Sequence, residues 1–486
     1  MNQNNSVDIS QSMKRANNKV RLGSPRVVAT LLTTVLLVGS SIIGVAYKFV
    51  DDIAMSVSAN HSVIEVQGIN ASLLNARRAP AALSSEIRIG GLLYALSQTV
   101  RLMPDQSCLT VTVEGQRITA VKPNLPVIPA SNMKLITALA ALEVLGPDYV
   151  FTTKVVGVSE GSQIVGDLWL VGGGDPVLST VGYPATESYP TLHPTNIGTL
   201  IDALVAAGIT EITGNIVGDE SRYDTERFTP SLGLGVRTTE VGPLGALLLN
   251  DGVVLASPIK PDQPALSAAQ EFLRLLNDRG IVVQGVAKIG TASVDLPVVA
   301  SITSAPFSAI VEEMLTNSDN NTAELILKEI GLQKLSAGTR LAGAQVVQTT
   351  LQEMGFAIDG LVIVDGSGLD RGNRATCALL ASILERDGGF GVLGDGLAIA
   401  GQTGTLRDLL ADTTASERLH AKTGTLTGAK ALSGYVVYAP EKTSVFTLIL
   451  NGSGGSNQGE YRPIWNSLAN SLGSLSEHPS VTDIAP

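Results

Sequence analysis

Three short stretches of the chain hold residues whose types and spacing could carry out nucleophilic chemistry. In Pro129-Ala130-Ser131-Asn132-Met133-Lys134 a serine stands three positions before a lysine. Residues three apart on a helix share a face, so the Lys134 amine can reach the Ser131 hydroxyl. A serine hydroxyl is a weak nucleophile unless a neighbour takes its proton, and an amine can do so only while uncharged. Farther on, Ser318-Asp319-Asn320 puts a hydroxyl and a carboxamide on a connection between two helical patterns, where side chains can point into a cleft. Lys422-Thr423-Gly424-Thr425 offers a cation, hydroxyls and a glycine that lets a ligand backbone come close.

Each stretch alone has an ordinary structural explanation. Serine, aspartate and asparagine are what helix starts prefer, which would account for Ser131 and for Ser318 to Asn320. Ser-x-x-Lys recurs at Ser257-Pro258-Ile259-Lys260, where prolines 258 and 261 oppose a continuing helix. A second Ser-x-Asn, Ser58-Ala59-Asn60, falls in a linker, and Gln402-Thr403-Gly404-Thr405 imitates the lysine stretch without its cation. Gly172-Gly173-Gly174-Asp175-Pro176 lacks the Gly-x-Gly-x-x-Gly spacing and opens no helix, so it reads as a turn and not as a phosphate cradle.

The elements that must position these residues are legible from periodicity. Residues 135–145 are small or apolar except Thr137 and Glu143, and Gly146-Pro147 closes the run. Such a helix belongs inside a domain, where desolvation lowers a lysine's pKa. Before it, a helix over 89–102 and strands over 109–114 and 117–121 are expected. After it come strands at 151–158 and 163–171, a helix at 197–207, a strand at 211–218, a helix at 265–278 and a strand at 281–289. Helices at 307–315 and 321–330 flank Ser318, and the glycine-rich loop Asp365-Gly366-Ser367-Gly368-Leu369-Asp370-Arg371 reads as structural. Strands at 432–438 and 444–450 and a helix at 460–472 complete the pattern. Lys422 is placed on an edge strand.

The composition is that of a globular protein with a large core: 44% hydrophobic, 16% charged and 50 glycines in 486 residues. A net charge of −11 argues against electrostatic binding of nucleic acid. Residues 1–26 are polar and basic, and 27–47 hold no charge over a length sufficient to cross a bilayer. The basic flank keeps the N-terminus cytoplasmic and predicts that the chain after Lys48 is extracellular or periplasmic, and secreted if the segment is a cleaved signal. An uncleaved anchor is the favoured reading, since no Ala-x-Ala follows the span. The two cysteines, Cys108 and Cys377, sit in apolar company and read as separate buried thiols, although an exported location permits one disulfide. His61, His193, His420 and His478 have no ligand spacing, so neither a metal site nor a cofactor is expected.

Taken in order, Ser131-x-x-Lys134, Ser318-x-Asn320 and Lys422-Thr423-Gly424 resemble the motif set of the penicillin-recognising serine enzymes. Within them the chain is most similar to low-molecular-mass penicillin-binding proteins of the D-alanyl-D-alanine carboxypeptidase and endopeptidase type that carry an insert after the first motif. Gly173-Gly174-Asp175-Pro176, Gly214-Asn215-Ile216-Val217-Gly218-Asp219 and Asp365-Gly366-Ser367-Gly368-Leu369 add to the likeness, which covers about 89–472. The 187 positions between Ser131 and Ser318 are fewer than many relatives have, so one part of the insert is reduced or absent.

The resemblance implies an α+β fold. A peptidase domain at 83–150 and 298–474, an antiparallel sheet with helices, carries an inserted α/β lobe at 151–297. A cytoplasmic segment (1–26), a transmembrane anchor or signal (27–47), a linker (48–82) and a flexible tail (475–486) complete the expected organisation. It further implies that Ser131 attacks the carbonyl between two D-alanines of a peptidoglycan stem, with Lys134 as base. In that scheme burial and the cation of Lys422 keep Lys134 uncharged. Ser318 relays a proton to the leaving amine and Asn320 bonds the substrate amide. Lys422, Thr423 and Thr425 hold the terminal carboxylate beside Gly424. The backbone N–H groups of Ser131 and Thr425 form the oxyanion hole. β-Lactams would acylate Ser131. The residues also suit a β-lactamase or an esterase, and a non-catalytic wall-binding protein could keep the same fold.

Overall fold

The computed structural model describes residues 80–254, 257, 260–452 and 457–476, without the side chains of 80–85. The expected membrane anchor, Ser58-Ala59-Asn60 and the end of the tail lie outside them. Among the described residues no helix is long and apolar enough to cross a membrane.

Two sheets organise this part of the chain. The first has six strands in the order Ala398–Ile399, Leu419–Leu426, Ala429–Ala439, Lys442–Asn451, Gln106–Val113 and Gln116–Val121. All its pairings are antiparallel, and the strand from the beginning of the chain is zipped onto one from its end. Side chains alternate between its faces, as a pleated strand requires. Cys108 and Ile449 enter a core with Met133, Ile136 and Phe307, whereas Leu109 and Leu448 enter a second core with Leu96 and Trp465. The helices Met133–Leu145 and Phe307–Thr316 therefore lie on one face, and Pro80–Leu102 and Gln458–Gly473 on the other.

Leu419–Leu426 is not the outermost strand, as its lysine stretch suggested. The two residues Ala398–Ile399 pair only with Ala421 and His420, so the edge is free from Lys422 onward. This stagger leaves Lys422 to Thr425 covered at one end and accessible at the other.

The second sheet has seven strands, mixed parallel and antiparallel, and lies between Thr152 and Thr303 with its own core around Leu168, Leu200 and Phe272. The single strands expected at 211–218 and 281–289 are each broken in two, into Glu211–Ile212 with Ile216–Asp219 and Val282–Val283 with Ala287–Ile289. The breaks lie side by side. Asn215 turns its backbone and side-chain N–H groups onto Asp167 Oδ1 at 2.7 and 2.8 Å, and a Cβ on Gly285 would stand 2.5 Å from Gly214 O. The strand Val298–Thr303 pairs with Thr152–Glu160, so the sheet runs past the cut expected at 297. The Gly172-Gly173 pair is a packing feature: a Cβ at Gly173 would meet Thr152 O at 2.1 Å.

The expectation of two separate thiols is overturned. Cys108 and Cys377 form a disulfide, with 5.9 Å between their Cα atoms, across 269 positions of sequence. Cys108 points from the sheet toward the helix Cys377–Asp387, whose first residue packs at that spot, and local apolar neighbours gave no sign of this meeting.

Candidate active site

The turn before the Met133 helix sets the position of Ser131. Ala130–Asn132 is a 3-10 turn, and the α-helix proper runs Met133–Leu145. Ala130 has φ 48, a left-handed conformation that costs a residue with a Cβ about 1 kcal/mol. The strand of the lysine stretch presses on this turn. A Cβ on Gly424 would lie 3.0 Å from Pro129 O and 2.9 Å from the Ala431 side chain. Glycine at 424 thus admits the protein's own Ser131 turn, a closer partner than the ligand backbone it suggested.

Lys134 is wholly buried, as the apolar pattern of its helix demands, although burial on all sides ends at Ala141. Its amine donates to Ser131 Oγ at 3.2 Å, to Asn320 Oδ1 at 2.6 Å and to Ser367 O at 2.7 Å. Removal from water pushes its pKa down to about 8, and the carboxylates of Asp365, Glu324, Asp319 and Glu240 act against that. Lys422 is also wholly buried and is held well below the ordinary lysine value, first by burial and then by the charge of Lys134. Desolvation is thus the largest influence on Lys134 and the one that lowers its pKa.

Asn320 begins the helix Asn320–Leu335, and Asp319 caps it by accepting from Thr322 N at 3.0 Å. The helix-start explanation of this stretch therefore holds for Asp319, while its neighbours face the cleft. Asn320 Nδ2 donates to Glu240 O at 2.6 Å, so the carboxamide is clamped at both ends. Ser318 has φ 63 and lines the same cleft as Ser131. Strained backbone of this kind persists where surrounding structure holds it, often at sites of function.

The cleft encloses about 800 Å3 and is also lined by Thr423, Thr425, Glu240, Tyr183 and Trp465. All eight residues singled out from the sequence, Ser131, Lys134, Ser318, Asn320, Lys422, Thr423, Gly424 and Thr425, are brought to it or to its wall.

Other contributors carried weaker signals. Thr405, in the stretch that imitates the lysine motif, lines the cleft, and Thr423 Oγ1 donates to its Oγ1 at 2.8 Å. The repeat therefore adds a hydroxyl to the site, not a second copy of it. The loop at 365–370 is structural, as expected, and it also supplies the Ser367 carbonyl that holds Lys134. Asp365 accepts from Gly368 N, Asp370 N and Asn373 Nδ2, and Glu324 accepts from Ser367 N. A backbone carbonyl has no side-chain signature in a sequence. Lys260, of the other Ser-x-x-Lys, lines the cleft as well, while Pro258 and Ile259 lie outside the described residues.

The chain matches the D-Ala-D-Ala carboxypeptidase 3 (S13) family over residues 95–260 and 255–471. It is 30% identical over 415 residues to a D-alanyl-D-alanine carboxypeptidase of Actinomadura sp. (strain R39), covering 71% of this chain and 77% of that one. The crystal structure of penicillin binding protein 4 (dacB) from Haemophilus influenzae superposes with a TM-score of 0.67 at 20% identity, over 78% of this chain and 99% of that one. A complex of the same Haemophilus protein with a novel β-lactam superposes with a TM-score of 0.61 at 19% identity, over 78% and 99%. The mixed α/β fold is thus that of penicillin binding protein 4.

Proposed function

Because this chain belongs to the D-Ala-D-Ala carboxypeptidase 3 (S13) family, we propose that its cleft cuts the bond between the two D-alanines ending a peptidoglycan stem peptide, through an acyl-enzyme on Ser131. The observation that carries this reading is the Ser131 hydroxyl 3.2 Å from a buried amine whose pKa is about 8. At that value about one Lys134 in ten is neutral at pH 7, against about one in 2,500 for a free lysine.

Neutral Lys134 takes the Ser131 proton as Oγ bonds to the carbonyl carbon. The oxygen that becomes negative lies between the backbone N–H groups of Ser131 and Thr425, each such donor contributing about 3 kcal/mol. Ser318 passes the proton to the leaving nitrogen, the C–N bond breaks and D-alanine departs. Water then hydrolyses the ester and restores Ser131. Asn320 bonds the substrate amide, and Lys422 and Thr425 hold the terminal carboxylate by charge-assisted hydrogen bonds, beside Thr423, whose hydroxyl donates to Thr405 Oγ1. β-Lactams present a reactive amide and a carboxylate to the same groups and acylate Ser131. The apolar span at 27–47 would hold the cleft on the outer side of the membrane, where this substrate lies.

The test is covalent labelling by a fluorescent penicillin, with mass spectrometry of muropeptides incubated with the chain. Labelling and loss of one alanine from pentapeptide stems, both abolished in Ser131→Ala, are expected. Splitting of cross-linked dimers would identify endopeptidase action as well. Labelling that survives in Ser131→Ala would remove that residue from the scheme. Labelling without any change in muropeptides would favour a β-lactamase or esterase.

A further inference from the structure

Lys430 has no part in the scheme above, yet it stands directly behind two residues that line the cleft, Thr425 and Tyr461. On the strand Ala429–Ala439 it pairs in register with Thr425 of Leu419–Leu426. Only 8% of it is exposed, and its Nζ donates to Thr425 Oγ1 at 3.0 Å. The same ammonium lies 4.5 Å from the centre of the Tyr461 ring, which meets Trp465 edge-on at 5.0 Å. Tyr461, Trp465 and Thr425 all line the cleft. Among the described residues no carboxylate forms an ion pair with Lys430, so its charge is met by a hydroxyl and a ring face.

A threonine hydroxyl has one proton and two lone pairs. Because the ammonium occupies a lone pair of Thr425, the Thr425 proton points elsewhere and is free for an acceptor in the cleft. Accepting from a cation also polarises the O–H and makes it a stronger donor. Thr423 is set differently, for its proton is already given to Thr405 Oγ1 at 2.8 Å. Of the two threonine hydroxyls, Thr425 is the one arranged to donate, with a positive charge directly behind it.

We propose that Lys430 is a positioning residue that selects ligands with a free carboxylate, holding the Thr425 hydroxyl with its proton turned toward that carboxylate. The inference rests on the reading of the cleft as an acylating site and adds to it a residue through which specificity is set.

Acylation rates of the full chain by benzylpenicillin and by its methyl ester give the preference for a carboxylate as a ratio. Lys430→Met keeps the aliphatic stem and removes the charge, and it should lower that ratio about tenfold, the usual effect of one hydrogen bond to a charged group. Lys430→Arg should restore most of it. In a Thr425→Val background, Lys430→Met should change the ratio less than about twofold, because both substitutions act through one hydroxyl. An unchanged ratio in Lys430→Met, or an equal effect in both backgrounds, overturns the proposal. If circular dichroism shows that Lys430→Met does not fold, Lys430→Gln is judged by the same ratio. Acylation of the unaltered chain by neither compound would overturn the acylating reading and this inference together. Acylation by both without preference would overturn this inference alone.

Discussion

Lys134 Nζ donates to Asn320 Oδ1 at 2.6 Å, a shorter contact than the 3.2 Å from the same amine to Ser131 Oγ. The group placed to take the serine proton is thus aimed by a carboxamide 186 positions away in sequence, itself anchored on Glu240 O.

Asn320→Ala removes that aim and should slow penicillin acylation about a hundredfold while Ser131 remains the labelled residue. Asn320→Asp places a negative charge beside the amine, which raises the Lys134 pKa, so its rate should be low at pH 7 and recover at higher pH. The rate constants, followed by labelling at several pH values, decide this. A rate within twofold of the unaltered chain in Asn320→Ala would show that Lys134 does not need the contact.

The acylation rate of the unaltered chain should rise with pH through about 8, where Lys134 loses its proton. Glu324 has its own pKa raised to about 7, chiefly by burial and then by Asp365, so it is ionised at that point and favours the protonated amine. Glu324→Gln keeps an oxygen for Ser367 N and removes the charge. Its midpoint should therefore move to lower pH, and a midpoint that stays or moves upward would refute the assignment of Lys134 as the titrating base.

The Cys108–Cys377 disulfide closes a loop across 269 positions. Replacing both cysteines by alanine should cost about 2–5 kcal/mol of stability in urea unfolding. The bond leaves the strand Gln106–Val113, three strands along the sheet from Leu419–Leu426, so penicillin labelling of the folded double variant should persist. Thiol titration of the denatured, unreduced chain should find no free thiol, and two thiols would refute the bridge.

Glu329 is buried on the helix that Asn320 begins, and Arg222 binds it at 2.6 and 2.9 Å while Tyr149 and Tyr223 donate to it at 2.7 Å. Burial works to raise its pKa, but the bonds and charge of Arg222, with the tyrosines, overcome this and hold it below the ordinary carboxylate value. A carboxylate with a depressed pKa contributes stability above about pH 4.5, and that contribution is lost as pH falls below it. Glu329→Gln should cost about 2 kcal/mol at pH 7, less than a fully buried pair would lose because Arg222 is partly exposed. The gap in urea midpoint between the two chains should narrow at low pH, whereas a gap independent of pH would assign the loss to packing.

Much of this molecule is written locally. The apolar run after Ser131 dictated a buried helix and hence a lysine without water around it. The alternation at Leu432 to Tyr438 dictated a strand, and the order of the three reactive stretches carried the likeness to a family. Helix and strand periods of 3.6 and 2 residues are properties of neighbours in the chain, and so they survive in the sequence. What only the tertiary structure decided are the meetings between distant segments: Asn320 and the Ser367 carbonyl on Lys134, Cys108 against Cys377, Thr405 beside Thr423, and Lys430 under Thr425. Spacing cannot encode such meetings, because they depend on which faces of separate elements are buried together. A carbonyl oxygen or a second threonine looks the same in a sequence wherever it ends up.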